Sequence, residues 1–269
     1  MDILTHTLSG FAVGTVITSF SKRGLKEKSL IFGIGGFAGA LPDIDTISLW
    51  SGFDSTFGQV FNLSHSGREI YSAKFWYSHH AFMHSIAAAL LISAVIGILI
   101  YVIGVRFRKF QLHGIVESFK RNRLLIFSFI LGFLVHLLED MPTPASSWGG
   151  VNLFWPLNSY VGGYGDIWWW NNYDLFIIVL SVMTINLTLL GFSRIRKNMR
   201  SKIIGGIFIL GFLFAIVQIK TRNFDFAYSV STKSYHEFEL KSKKLQREIL
   251  GDRLFKRMKD FDNKLKIHF

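Results

Sequence analysis

Stretches of apolar residues long enough to cross a bilayer recur along the chain, and they dictate what it can become. A hydrocarbon core takes about 20 apolar residues as helix, within a range of roughly 17 to 25. Residues 4–20, 85–105, 124–138, 175–192 and 203–219 read as such segments, and 29–41 is a shorter, Gly-rich one. Half of the 269 residues are apolar, 16% are aromatic and only 18% are charged, with a mean hydropathy of +0.33. That balance excludes a water-soluble globule and a disordered chain alike. The expected fold class is an all-α, polytopic membrane helical bundle of about six spans. The short second stretch reads as a broken or half-length helix. The 4–20 stretch lacks the basic start of a cleavable signal, and His6 interrupts it. With no Cys, disulfides, thiolate zinc sites and cysteine nucleophiles are excluded.

The net charge of +12 is distributed in a way that fits membrane loops better than a nucleic-acid surface, so no nucleic acid is expected as partner. Lys22, Arg23, Lys26 and Lys28 fill the first connection; Arg106, Arg108, Lys109, Lys120, Arg121 and Arg123 the third; Arg194, Arg196, Lys197, Arg200 and Lys202 the fifth. The second carries only Arg68 and Lys74, and the fourth, 142–172, has no Lys or Arg. The positive-inside bias puts the first, third and fifth connections in the cytoplasm. The domain reading is a membrane-embedded unit over 1–220 and a basic tail over 221–269. The tail holds 12 basic and 7 acidic residues. In it Ile249, Phe255, Met258, Phe261 and Leu265 recur at helical spacing, so it is expected to be helical. It either lies on the lipid surface or packs on the bundle as a solvated helix.

Ionisable residues in or beside spans are costly and mark function by default. Here they form groups: His6 at the start of the first span; Asp43 and Asp45 after the second; His79, His80 and His84 before the third; His136, Glu139 and Asp140 at the end of the fourth. The derived topology puts all four groups at the same, non-cytoplasmic edge. Each has a bland reading alone: an interfacial His6, a Pro-Asp-x-Asp helix stop with capping carboxylates, a hydrogen-bonded His136–Asp140 pair. Together they read as a metal site, because imidazole and carboxylate suit zinc, and also manganese or iron. His136 and Asp140, four apart, share a helix face, as would His80 and His84. His79 and His84 converge only if the helix begins between them. No Lys or Arg lies near Glu139 and Asp140 in sequence, so a divalent cation is the economical partner. Glu139 points about 100° away from its helix neighbour and reads as a supporting or general-acid group. His65, His113, His236 and His268 read as surface residues.

These residues carry a resemblance. The strings Met1-Asp2-Ile3-Leu4-Thr5-His6-Thr7-Leu8-Ser9-Gly10, Leu41-Pro42-Asp43-Ile44-Asp45, His79-His80-Ala81-Phe82-Met83-His84-Ser85, His136-Leu137-Leu138-Glu139-Asp140 with Thr143, and Phe154-Trp155-Pro156-Leu157 resemble, in order, the YdjM-like predicted membrane-bound metal-dependent hydrolases. The likeness runs over roughly residues 1–180 and implies metal-site roles for His6, Asp43, Asp45, His79, His84, His136 and Asp140. Where the family has His-Arg-Gly before Thr-His-Ser, this chain has His79-His80-Ala81 and Met83-His84-Ser85. Either His80 takes over a phosphate-gripping role from that Arg, or the substrate differs. The 143–149 segment is longer than in the family. A more distant likeness is to zinc-dependent phospholipases C and single-strand-specific zinc nucleases, which also use an early His, an Asp, a later His and a helical His-x-x-x-Asp. Their later His and Glu ligands have no match here, which implies one or two cations.

The activity implied is hydrolysis of a lipid-headgroup phosphoester by a metal-activated water, whose pKa falls from about 15.7 to near 7. Asp43 or Asp45 would orient that water or act as general base. Membrane lipid is then both substrate and surroundings, and the location is the cell's plasma or inner membrane. Trp148, Trp155 and Trp168 to Trp170 either shape lipid access or anchor the protein as an aromatic belt. Two other classes stand beside this one. An ion transporter would need polar residues continuing inward, where only Thr15, Thr18, Ser128 and Asn186 occur. A non-catalytic membrane scaffold leaves the acid–imidazole groups unmotivated.

Overall fold

The apolar stretches become helices because lipid offers the backbone no hydrogen-bond partner, so each peptide group must be satisfied within its own segment. The computed structural model describes residues 2–104, 111–143, 149–167, 172–192, 195–221, 232–262 and 264. Its helices are α1 (Ile3–Phe20), α2 (Leu25–Ala40), α3 (Gly67–Ser72), α4 (Ile86–Gly104), α5 (Leu112–Arg121), α6 (Arg123–Asp140), α7 (Tyr173–Gly191), α8 (Lys197–Lys220) and α9 (Thr232–Asp262). No strand occurs among the described residues; Val151 and Val161 form an isolated bridge. Five helices are long and apolar enough to cross a membrane, and six if α5 and α6, bent by 71° at Asn122, count as one span. The protein is an all-α membrane bundle, as its apolar stretches predict.

The second stretch proves longer than its apolar run. α2 is 16 residues long, and a 3-10 segment, Leu41–Leu49, continues it, so the two together span 25 residues. Pro42 sits at the start of that continuation, where its missing N–H is tolerated. The segment carries Asp43 and Asp45 past the end of α2. α5 lies within a connection and was not foreshadowed by hydropathy. It is amphipathic and packs on α4, with Tyr101 against Gly114 and Phe119 against Gly97.

α1 is the hub, packing against α2, α6, α7 and α8. Lipid tails are as apolar as leucine, so helices in a membrane associate by close packing of small residues. Gly10 and Gly14 of α1, Gly35 and Gly39 of α2 and Gly132 of α6 supply that contact. A Cβ at Gly35 would stand 2.6 Å from the Gly10 carbonyl oxygen and 2.9 Å from Ser128 Oγ, and one at Gly132 would stand 2.5 Å from the Gly35 carbonyl oxygen. Beside this seam Phe129, Phe133 and Leu137 of α6 fill a core with Ala38, Ala88 and Ala89. Several polar residues of the bundle interior bond between or within helices. Ser128 Oγ donates to Ile31 O at 2.7 Å, Asn186 Nδ2 to Thr15 Oγ1 at 3.1 Å, and Thr18 Oγ1 to Lys28 O at 3.3 Å.

The bundle is polarised end to end. At one end the basic connections meet: Arg23 donates to Arg121 O at 2.8 Å, and Lys197 to Ser21 O at 2.7 Å. At the other end α1 begins and α2 and α6 finish, and the segment from Trp50 to Ala81 folds over them. There α3 is closed by a capping box of Ser66 and Glu69, and Asp54 Oδ1 accepts from Gly67 N at 2.7 Å. Over Thr232–Asp262 the tail is helical with a kink at Gly251 (φ 70°), and Gln246 and Met258 both reach the Tyr173 hydroxyl at the start of α7. The side chains of Ile249 and Phe261, and Leu265 altogether, lie outside the described residues, as do Trp148 and Trp168 to Trp170.

Candidate metal centre

Four separate segments deliver ionisable side chains to that second end. α1 brings His6, the 3-10 continuation of α2 brings Asp43, a short 3-10 turn (Phe82–His84) brings His84, and the last turn of α6 brings His136 and Asp140. All five are buried, with His6, His84 and His136 at 0% exposure. His136 Nε2 lies 2.9 Å from Asp140 Oδ2, 3.2 Å from His84 Nε2 and 3.5 Å from Asp43 Oδ1. His84 Nε2 lies 3.4 Å from Asp140 Oδ2 and 3.5 Å from Asp43 Oδ1. His6 Nε2 approaches the other oxygens of both carboxylates, Asp140 Oδ1 at 3.1 Å and Asp43 Oδ2 at 3.9 Å. Donor atoms about 2.0–2.1 Å from one tetrahedral ion stand about 3.3 Å apart, so these separations are those of a coordination shell.

The hydrogen bonds on the far side of each ring support the same chemistry. His136 Nδ1 donates to Gly39 O at 2.7 Å, and His80 Nδ1 to Gly150 O at 2.9 Å. A carbonyl only accepts, so both rings carry their proton on Nδ1 and their lone pair on Nε2. Glu139 Oε2 accepts from His6 Nδ1 at 2.7 Å, and Asp45 Oδ1 from His79 Nδ1 at 3.0 Å. Ser9 Oγ donates to Glu139 Oε1 and fixes that carboxylate in turn. Anchoring Nδ1 on an acceptor is how proteins orient and strengthen a metal-ligating imidazole. His6 Nε2 is buried, yet it makes no well-directed hydrogen bond even to the nearby Asp140 oxygen. Lone pair and carboxylate converge on a common point rather than on each other. The residues present therefore fit a divalent cation.

The remaining predicted residues sit around this set. His79 and Asp45 are its rim, and one donor atom from each lies within 4.8 Å of one from Asp43. The Tyr71 ring of α3 stacks on His79 at 4.5 Å. His79, His80 and His84 form a second group, ring centroids 4.3 to 4.7 Å apart. They meet because residues 78–84 run as turns before α4 starts at Ile86, the helix beginning after the group rather than inside it. Glu139 touches His6 and Ser9 rather than the centre of the set. Burial pushes the His80 imidazole well below its usual range, and His79 and His84 push it the same way. Burial also disfavours a charged His84, but hydrogen bonds to Asp140 and Asp43 outweigh it and raise that ring to about 9. His65 and His113 are exposed, whereas the side chains of His236 and His268 lie outside the described residues.

Sequence reasoning missed Ser9, Gly39 and Gly150. Two of them act through backbone carbonyls, which leave no side-chain signature; Ser9, one turn after His6 on α1, is the one that spacing alone had power to suggest.

No curated protein and no solved structure matches the chain. The profile of the YdjM inner membrane protein family matches residues 1–224, which takes in every segment that contributes to the buried His/Asp set. With five or six apolar helices and that set at one end of them, the chain belongs to the YdjM inner membrane protein family.

Proposed function

We propose that the protein is a membrane-bound, metal-dependent hydrolase that cleaves a phosphoester of a lipid headgroup at the non-cytoplasmic face of the membrane. The observation that carries the reading is the convergence of anchored imidazoles with Asp43 and Asp140 at one end of a membrane bundle. His6, Asp43, His84, His136 and Asp140 hold the cation, zinc first by donor type, with manganese and iron as alternatives. When bound, such a cation acidifies water and polarises a phosphoryl oxygen. Asp45, partly exposed at the rim and held by His79, takes the proton of the attacking water. Glu139 is a positioning residue that acts through His6. Phe82 and Trp155, ring centroids 4.8 Å apart, give the rim an aromatic wall on which acyl chains can rest. The non-cytoplasmic placement is supported by Arg23, Arg121 and Lys197 at the opposite end.

The test is an assay of purified protein, with zinc or manganese supplied, against vesicles of phospholipids and isoprenoid phosphates. Release of a phosphorylated or phosphate headgroup is expected; no release from any of these lipids by fully metal-loaded protein overturns the reading. The side is tested separately. The chain has no cysteine, so single introduced ones report without background. In intact spheroplasts a membrane-impermeant maleimide is expected to label Ser55→Cys and to leave Lys26→Cys unlabelled. The reverse pattern places the set in the cytoplasm.

A further inference from the structure

His80 stands out in the cluster. It occupies the position where the resembled family carries an arginine, it is 2% exposed, and its backbone has φ +63°, a left-handed conformation that histidine adopts more readily than most side chains. Its Nδ1 proton goes to the Gly150 carbonyl at 2.9 Å, so its lone pair is on Nε2. His79 is oriented the same way by Asp45, at 3.0 Å. The third ring, His84, turns Nε2 toward His136, Asp43 and Asp140. Its Nδ1 is buried with no hydrogen-bond partner, a costly state for a polar atom. One nitrogen from each of the three rings lies within 4.8 Å of the other two.

We propose that His79, His80 and His84 form a second divalent-cation subsite beside the first, with Nδ1 of His84 as its third donor, so that this chain holds a pair of cations bridged by His84 as an imidazolate, its remaining ring proton released to solvent as the second cation binds. Three ring nitrogens with an open fourth position are the donor set of a catalytic zinc site, and such a set also accepts manganese or cobalt more weakly. On this assignment His80 acts as a cation ligand, not as a replacement grip for phosphate. A buried imidazole whose one proton already serves a carbonyl offers an anion nothing but a lone pair. A pair of cations suits a phosphoester, since one can face the attacking oxygen and the other the leaving oxygen. The inference rests on the metal-centre reading above, not on the lipid substrate.

The test counts ions. Full-length protein in detergent is stripped with chelator, reloaded with Mn(II), desalted, and measured by elemental analysis and electron paramagnetic resonance. Wild type is expected to carry two ions per chain and to show the signal of a coupled pair. His80→Asn, which tolerates the left-handed backbone, is expected to carry one ion with an isolated-ion spectrum. The His136→Ala, Asp140→Ala variant is expected to keep the other. One ion in wild type overturns the second subsite and leaves the metal-centre reading intact, whereas no ion in wild type overturns both. Two coupled ions in His80→Asn remove His80 from the set. Loss of both ions in His80→Asn, or of both in the double variant, means the subsites are not separate and overturns the pairing.

Discussion

Replacing His136 and Asp140 together by alanine is expected to lower metal-supported hydrolysis of lipid phosphoesters by about 1,000-fold or more, the scale of removing a pre-organised charge-stabilising group from a catalytic site. The two side chains leave α6 on one face, 2.9 Å apart at their donor atoms, and between them they lie beside His6, Asp43 and His84. Glu139→Gln is the graded companion. It keeps the shape of the side chain but weakens its hold on His6, and is expected to cost about 10- to 100-fold in metal affinity, as supporting partners of ligating histidines typically do. Measuring metal affinity and turnover on the same preparations checks both. Full activity in the double variant would sink the hydrolase assignment.

The largest structural effect is expected from Gly35→Leu. α1, α2 and α6 meet at this residue, with the Gly10 carbonyl and Ser128 Oγ within 3 Å of where a Cβ would sit. Overpacking there costs about 3 kcal/mol, and occasionally more. For a chain of this size such a loss lowers the Tm by about 6–12 °C. Gly33→Leu, on the same helix, is the control: nothing stands within 4 Å of its Cβ. Thermal unfolding of both variants in one detergent checks the pair. The Gly35 variant is also expected to bind metal more weakly, because α1 carries His6, α2 leads into Asp43, and α6 carries His136. An unchanged Tm for Gly35→Leu would mean that the seam is not what holds these helices together.

Much of this was legible from residues alone, for definite reasons. Spans are legible because lipid leaves the backbone no alternative to helix, so an apolar run of the right length has one outcome. The run at 29–41 misled on length because Leu25–Lys28 and Leu41–Leu49 are helical without being uniformly apolar; there a cap, a proline and packing on α1 set the ends. The polar residues at the span ends were conspicuous because lipid penalises them, and their spacing on α6 put His136 and Asp140 on one face. What spacing could not convey is how residues 78–84 turn. His79, His80 and His84 are brought together by bends and a left-handed His80, which no periodicity encodes. Nor could it indicate that Glu139 leans on His6, a contact between residues that only the α1–α6 packing makes neighbours.

The hydrogen bond from His136 to the Gly39 carbonyl has a consequence for how the protein is made. It ties the end of α2 to a ring of α6, so the ring is held in this orientation only when α2 and α6 are already seated together. Membrane insertion is vectorial, and α6 leaves the ribosome after α1, α2 and α4. Until it arrives, the earlier histidines and aspartates wait without a complete shell. A chain halted before α6 therefore lacks His136 and Asp140, and its Gly39 carbonyl has no ring to orient.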